Sequence, residues 1–167
     1  CVTVTLEGRR PLVTEVQALV TASSLATPRR ATSGLDSARV SMILAVLDKR
    51  ARAPIGSSDA YLSTVGGVRL TEPAADLAVA LALAGAITDR PLPPGTVAFG
   101  EVGLAGEVRP VTGAHRRLSE AHRLGFTRAI VPPGVLGSGP VPDGLRVAEA
   151  ASVLDAVVLG LPDAASR

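Results

Sequence analysis

The sequence predicts an α+β domain, a mixed β-sheet with helices packed on it, and three observations carry that expectation. Residues 1–20, CVTVTLEGRRPLVTEVQALV, alternate apolar and polar side chains around a Gly-Arg-Arg turn. That is the two-residue period of half-buried strands. Residues 73–88, PAADLAVALALAGAIT, are apolar almost all round, the mark of a helix buried on every side. Strand and helix patterns then run to the end in the order ββαβαββαββα, which points to helices packed on a sheet. With 167 residues, 47% hydrophobic and 19% charged, the chain is long and apolar enough for one globular domain.

Taken in order, the first two strands are expected over roughly 2–7 and 12–20, and a polar loop, TASSLATPRRATSG, over 21–34. LDSARVSMILAVLDKRA predicts a helix capped by Asp36 or Ser37, with Val40, Ile43, Leu44 and Leu47 on one face. AYLSTVGGVRL predicts a strand bent at Gly66-Gly67. Pro73 opens the apolar helix, where its missing N–H is no loss, and DRPLPPG closes it. TVAFGEVGLAGEVRPV predicts two strands around a tight glycine turn near 105–106. GAHRRLSEAHRLGF predicts a helix ended by Gly125. TRAIVPP is expected to be a buried strand, GVLGSGPVPDG a loop, LRVAEA a strand and SVLDAVVLGL a final helix.

Composition narrows function. Aromatics are 2% of the chain, so the core must be built from Ala, Val, Leu and Ile, and base-stacking platforms are not expected. The single cysteine, Cys1, excludes an internal disulfide and argues against a cysteine metal site. The longest apolar run, at 77–87, is too short to span a bilayer. No signal peptide is evident, and a cytoplasmic protein without a membrane partner is expected. The chain starts without an initiator Met, directly in a strand pattern, which leads us to expect a C-terminal piece of a longer protein. A net charge of +2 with a pI near 9.3 permits a nucleic-acid partner without demanding one.

The glycines of GEVGLAGE form no phosphate loop: no lysine is near, and G-x-G-x-x-G is also absent. No cofactor site and no metal site are expected. His115 and His122 share a helix face with Ser119 and have no cluster of further ligands. Basic residues fall in three groups: Arg29-Arg30; Lys49, Arg50 and Arg52; and Arg116, Arg117 and Arg123, with Arg128 nearby. Arg116 and Arg123 lie opposite Ala114, Leu118 and Ala121 on the helix. The second group sits at a helix C-terminus, where cations are favoured anyway. Three groups on one small domain raise the expectation of a polyanionic partner.

GLDSARVSMILAVLDKRA, VGGVRLTEPAADLAVALALAGAITDRPLPPGTVAFGEVGLAGEVRPV and RRLSEAHRLGFTRAIVPP resemble the C-terminal domain of the bacterial RadA (Sms) DNA repair and recombination proteins. The resemblance covers about residues 1–160 and leaves 161–167 as a tail. That domain is similar to the proteolytic domain of Lon proteases, so the resemblance implies a Lon-like, ribosomal-protein-like α+β fold. The Gly-Pro-Ser-Ala-Gly motif of Lon aligns with Glu72-Pro73-Ala74-Ala75-Asp76, which puts Ala74 at the nucleophile position. Lon's base lysine follows a Pro-Ile-Gly-Gly-Leu segment, here Pro110-Val111-Thr112-Gly113-Ala114, and its position is His115.

The residues agree independently. A Ser–Lys dyad needs a lysine whose burial lets it take a proton, and the only lysine, Lys49, lies at a basic helix end elsewhere. The expectation is a non-catalytic domain for ring assembly and DNA binding, with Arg29, Arg30, Arg116, Arg117 and Arg123 toward DNA. The alternatives are a residual hydrolase using His115 and Ser119, or a scaffold without DNA contact. The resemblance further implies a longer protein with an N-terminal zinc module and a RecA-like ATPase. Its implied ligands are Zn, ATP and Mg, and its implied partners are single-stranded or branched DNA, its own copies in a hexameric ring, and the recombinase RecA.

Overall fold

The computed structural model describes residues 1–161. The expected tail beyond residue 161 lies outside the described residues. Strands β1 (Val2–Glu7) and β2 (Arg10–Ala22) form the expected hairpin. After them come β3 (Arg30–Ser33), helix α1 (Ser37–Arg50), β4 (Ser58–Thr64) and the central helix α2 (Asp76–Thr88). Then follow β5 (Thr96–Ala98), a small hairpin of β6 (Glu101–Val102) and β7 (Val108–Arg109), α3 (Ala114–Arg123), β8 (Arg128–Val131), β9 (Arg146–Glu149) and α4 (Val153–Gly160). Seven strands make one mixed sheet in the order β3-β4-β2-β1-β5-β8-β9.

β2 is the hinge of this sheet. Its first half pairs antiparallel with β1, from Val2↔Glu15 to Glu7↔Arg10, and its second half with β4, from Val16↔Thr64 to Ala22↔Ser58. Beyond β1 the pairing with β5, β8 and β9 is parallel. Parallel neighbours need crossovers, and α2, α3 and the segment between β8 and β9 supply them.

The core lies in two clusters. One joins α1, α2 and α4 to the sheet through Ile43, Leu47, Leu77, Leu81, Val16 and Ile130. The other places α3, through Leu118 and Ala121, on Val4, Val97, Phe99 and Val131. α2 is buried from Asp76 to Gly85, as its unbroken apolar pattern required. Its C-terminus turns at Asp89 in the left-handed region (φ 50°), just before the proline-rich segment. Among the described residues no helix is long and apolar enough to cross a membrane.

Three expectations fail locally. The loop over 21–34 contains β3, whose polar residues pair in parallel with β4 from Arg30↔Ala60 to Ser33↔Ser63. Strand formation there comes from the neighbour, not from an apolar run. The strand expected through residue 70 stops at Thr64, because Val65–Gly67 turn in a 3-10 helix with Gly66 at φ 75°. The two strands expected over 96–111 are three. β5 joins the main sheet, then the chain leaves it at Gly100, where an added Cβ would sit 2.8 Å from Val108 Cγ1.

The hydroxyls of Thr3, Thr14 and Thr96 are buried and have no hydrogen-bond partner, and Thr3 faces Thr14 across the ladder. An unpaired buried hydroxyl costs free energy. Thr14→Val should therefore raise stability by about 1 kcal/mol in urea unfolding. Leu81, fully buried in α2, should lose about 2–5 kcal/mol on truncation to Ala, against under about 0.5 kcal/mol for the same change at the half-exposed Leu154.

Candidate functional site

Glu72 to Asp76 lead the chain into α2. Pro73–Ala75 form one 3-10 turn, and Ala74, Ala75 and Asp76 are buried. α2 proper thus begins at Asp76, three residues later than the proline suggested. The turn is fastened to β5's end: Gly100 N–H donates to Ala74 O (2.8 Å), and Leu77 N–H donates to Gly100 O (3.1 Å).

Two carboxylates bracket the alanines, and each is held by a guanidinium from another helix. Glu72 receives Arg117 of α3 bidentately, at 2.7 and 2.9 Å, and accepts Leu6 N–H of β1 at 2.8 Å. Arg117 is fully buried and also donates to Val4 O (2.5 Å) and Thr112 O (3.0 Å), with its guanidinium 5.8 Å from the centre of the Phe99 ring. Asp76 receives Arg39 of α1 through both oxygens and accepts Val102 N–H at 3.1 Å.

Burial alone would push the Glu72 carboxyl up. The Arg117 guanidinium, the Thr5 hydroxyl and the Leu6 N–H outweigh it and hold Glu72 below the ordinary value of 4.5. At Asp76 burial prevails and pushes the carboxyl up, with Arg39 and the Val102 N–H opposing. Arg39 is itself pushed up by the Asp76 hydrogen bond. Both groups move up, for opposite reasons: at Asp76 loss of water outweighs the pairing, whereas at Arg39 the hydrogen bond to Asp76 outweighs loss of water.

His115 lies in the first turn of α3, after Gly113 in the left-handed region (φ 71°). Its ring is occupied by the loop between β8 and β9: Nδ1 lies 3.0 Å from Pro140 O and Nε2 lies 3.0 Å from Ser138 Oγ. Gly139 passes so close that a Cβ there would be 2.8 Å from the ring. Ser119 shares the helix but donates to the main-chain oxygen of His115 (2.9 Å), so the ring and Ser119 form no pair. His122 is exposed in the last turn. A cleft of about 880 Å³ runs along β2 to residues 89–95 and is lined by neither Ala74 nor His115.

The arginines separate. Arg29 is exposed, with its main-chain N–H donated to Asp59 (2.7 Å). Arg30 lies in β3, not in a loop, and its guanidinium donates to the Ser58 and Ile55 carbonyls. Arg116 and Arg123 are exposed, and Arg123 holds Glu120 at 2.7 and 2.9 Å. Arg117 does not belong to that surface, contrary to expectation. Ala114, Arg117, Leu118 and Ala121 stand at i, i+3, i+4 and i+7, which is the inward stripe of the helix. That spacing was the available signal. Two carboxylates beside a buried alanine pair called for partners, and Arg39 and Arg117 are those partners.

Fold and site together define a mixed α/β domain in which the start of the central helix is sealed between two arginine–carboxylate clamps. A family model described as subunit ChlI of Mg-chelatase matches residues 66–134, the span that contains both clamped carboxylates. Proteins named DNA repair protein RadA match most of the chain. That of Mycolicibacterium smegmatis is 60% identical over 93% of this chain, that of Mycobacterium tuberculosis 56% over 93%, and that of Synechocystis 46% over 96%. Over that span the chain is similar to the proteins named RadA, and it covers about a third of the length of those relatives.

Removing one partner of the Glu72–Arg117 pair leaves a buried charge uncompensated. Glu72→Ala should cost about 3–5 kcal/mol. Because Glu72 is held below its unfolded value, its contribution is fully present above about pH 4.5 and is lost as pH falls through the folded value. Glu72→Gln should flatten the acid limb of stability against pH, as read by urea unfolding at a series of pH values.

Proposed function

We propose that this chain is a non-catalytic, Lon-protease-like domain of a RadA-type DNA repair protein, serving ring assembly and DNA binding. The carrying observation is the sealed start of α2. The position matching Lon's nucleophile is Ala74, a buried methyl group. The position matching its base is His115, whose ring is engaged by Ser138 and Pro140. No group there can attack a carbonyl, and two ion pairs occupy the space around the turn. The DNA repair role follows the name of the relatives, which are about three times the length of this chain.

In this reading the full-length protein carries a zinc module and a RecA-like ATPase with ATP and Mg before this domain. It acts as a hexameric ring on single-stranded or branched DNA, with RecA as a further partner, in the bacterial cytoplasm. Arg29, Arg116 and Arg123 offer exposed charge to phosphates, and Arg30 contributes what its bonds to carbonyls leave free.

Ala74→Ser should leave the protein folded and inactive toward casein and fluorogenic peptides, since the base position holds no lysine and the His115 ring there is engaged by Ser138 and Pro140. Peptidase activity from that single change would overturn the non-catalytic reading. Replacing Arg29 and Arg123 by Glu in the full-length protein should weaken DNA binding and reduce its dependence on salt, while leaving nucleotide binding intact. Unchanged affinity after deletion of this whole domain would leave a scaffold without DNA contact.

A further inference from the structure

We infer that the cleft of about 880 Å³ beside β2 is the seat of the residues immediately before Cys1 in the full-length protein, which continue β1 as a strand along β2. The inference rests on the reading above that a longer polypeptide precedes this domain, and it says how the two are joined.

The ladder sets the direction. β1 pairs with β2 as far as Val2↔Glu15, and the next step out is also made in full. Cys1 N donates to Val16 O at 2.7 Å, and Val16 N–H donates to Cys1 O at 2.8 Å. In an antiparallel ladder the N–H and C=O of one residue point to the same side, and successive residues point to opposite sides. Val16 faces β1, so Ala18 and Val20 face the same way. Ser23 shows the other phase: it donates on the β4 side, to Ser57 O (3.2 Å). β2 runs on to Ala22, yet among the described residues no strand flanks it on the β1 side beyond Cys1. The N–H and C=O groups of Ala18 and Val20 therefore face the cleft.

The walls fit one strand. β1 lies between β2 and β5, with Val2 opposite both Glu15 and Val97. Neighbouring strands lie about 4.8 Å apart, so the gap between β2 and the segment leading into β5 is about two spacings wide beyond Cys1 and admits one strand. Cys1 and Val2 close one end, Ala18 and Leu19 belong to one wall, and residues 91–96 form the other. Pro91, Pro93 and Pro94 in that second wall have no N–H, so it offers packing and not a second ladder.

Alternation then places the side chains. Cys1 packs toward the apolar cluster under α2. The second residue before it therefore points to the small side chains of Ala82 and Ala86, which line the cleft from α2. The first and third point to the opposite face of the sheet, beside Gln17 and Leu19. Leu19 is 62% exposed in mid-strand, and the third residue covers it.

A continuous chain suits the cleft better than a separate partner. The cleft is collinear with β1, so a strand from another molecule would have to end against Cys1. Strand addition draws its affinity from main-chain groups, which Ala18 and Val20 supply. The relatives are about three times as long as this chain, so the sequence to fill the cleft exists. The domain is thus joined to the preceding chain through its sheet, and the direction of that chain is fixed at β2.

The test uses the full-length protein, whose intact mass first shows how much chain precedes Cys1. A mass near 16.9 kDa would remove the occupant and overturn both readings. Antiparallel pairs that share no hydrogen bonds bring Cα atoms to about 4.5 Å, within disulfide range. In a Cys1→Ser background, Gln17→Cys with a cysteine at the residue immediately before position 1 should form an intramolecular disulfide on mild oxidation, found as a linked peptide by mass spectrometry. Leu19→Cys with a cysteine at the third residue before position 1 should do the same. Thr21→Cys with a cysteine immediately before position 1 should not, and a link there as well shows a mobile segment and overturns the strand. Folded variants without the first two links also overturn it. Residue-resolved amide hydrogen exchange on the unaltered full-length protein decides the matter if the cysteine variants fail to fold. Ala18 and Val20 should exchange within about tenfold of Leu19, whose N–H serves the ladder to β4. Exchange of both at the rate of exposed loop amides overturns the inference and leaves the longer-protein reading intact. Protection that is lost on dilution, without a link, assigns the cleft to a second copy and likewise overturns it.

Discussion

The buried Arg117–Glu72 pair ties together parts of the chain that nothing else connects so directly. One guanidinium joins α3, the end of β1, the segment at Thr112 and the turn that begins α2, and it rests near the Phe99 ring. Glu72 in turn binds the Leu6 main chain. The pair therefore stands between the two apolar clusters, one under α2 and one under α3. Apolar packing tolerates small slips, whereas a fork of directed hydrogen bonds does not. Ion pairs of this kind are weak contributors to net stability and strong constraints on register, because a misplaced helix strands a charge away from water. The rotation of α3 about its axis follows from it: Arg117 must point in, so Arg116 points out.

The second pair, Arg39–Asp76, does for α1 what the first does for α3. Between the two, the start of α2 is fixed from both sides, and the Gly100 main chain closes the third. A helix start gathers unpaired N–H groups and positive potential, which commonly receives an anion or a nucleophile. Here Asp76 occupies the first turn, and its own carboxylate is already shared between Arg39 and Val102 N–H. A position suited to binding chemistry serves here as a structural joint. His115 follows the same course, its ring spent on holding the loop between β8 and β9 against α3.

The same economy sorts the basic residues. Arginine dominates the cations of this chain, with Lys49 the only lysine, and arginine serves both buried pairing and phosphate contact. Arg39 and Arg117 are internal connectors. Arg30 and Arg128 bind carbonyls, Arg30 those of Ser58 and Ile55 and Arg128 that of Leu159. Arg29, Arg116 and Arg123, by contrast, stay exposed.

The sequence by itself determined the element types, because their periods are local. The alternation of residues 1–20, the all-apolar run of α2 and the glycine and proline stops need no knowledge of neighbours. It also determined that Ala74 has no nucleophile and that no lysine is at hand, since those are statements about residue identity. The buried stripe of α3 was written in the spacing of Ala114, Arg117, Leu118 and Ala121, but a charged residue in an apolar stripe is read as surface until its partner is known. Tertiary structure alone decided that partner, because Glu72 and Arg117 are 45 residues apart and meet only when α3 docks on β1. It decided β3 for the same reason: a polar tetrapeptide becomes a strand when β4 offers it a ladder. And it decided which arginines remain free, because a guanidinium's role depends on which carboxylates and carbonyls the fold brings within hydrogen-bond distance.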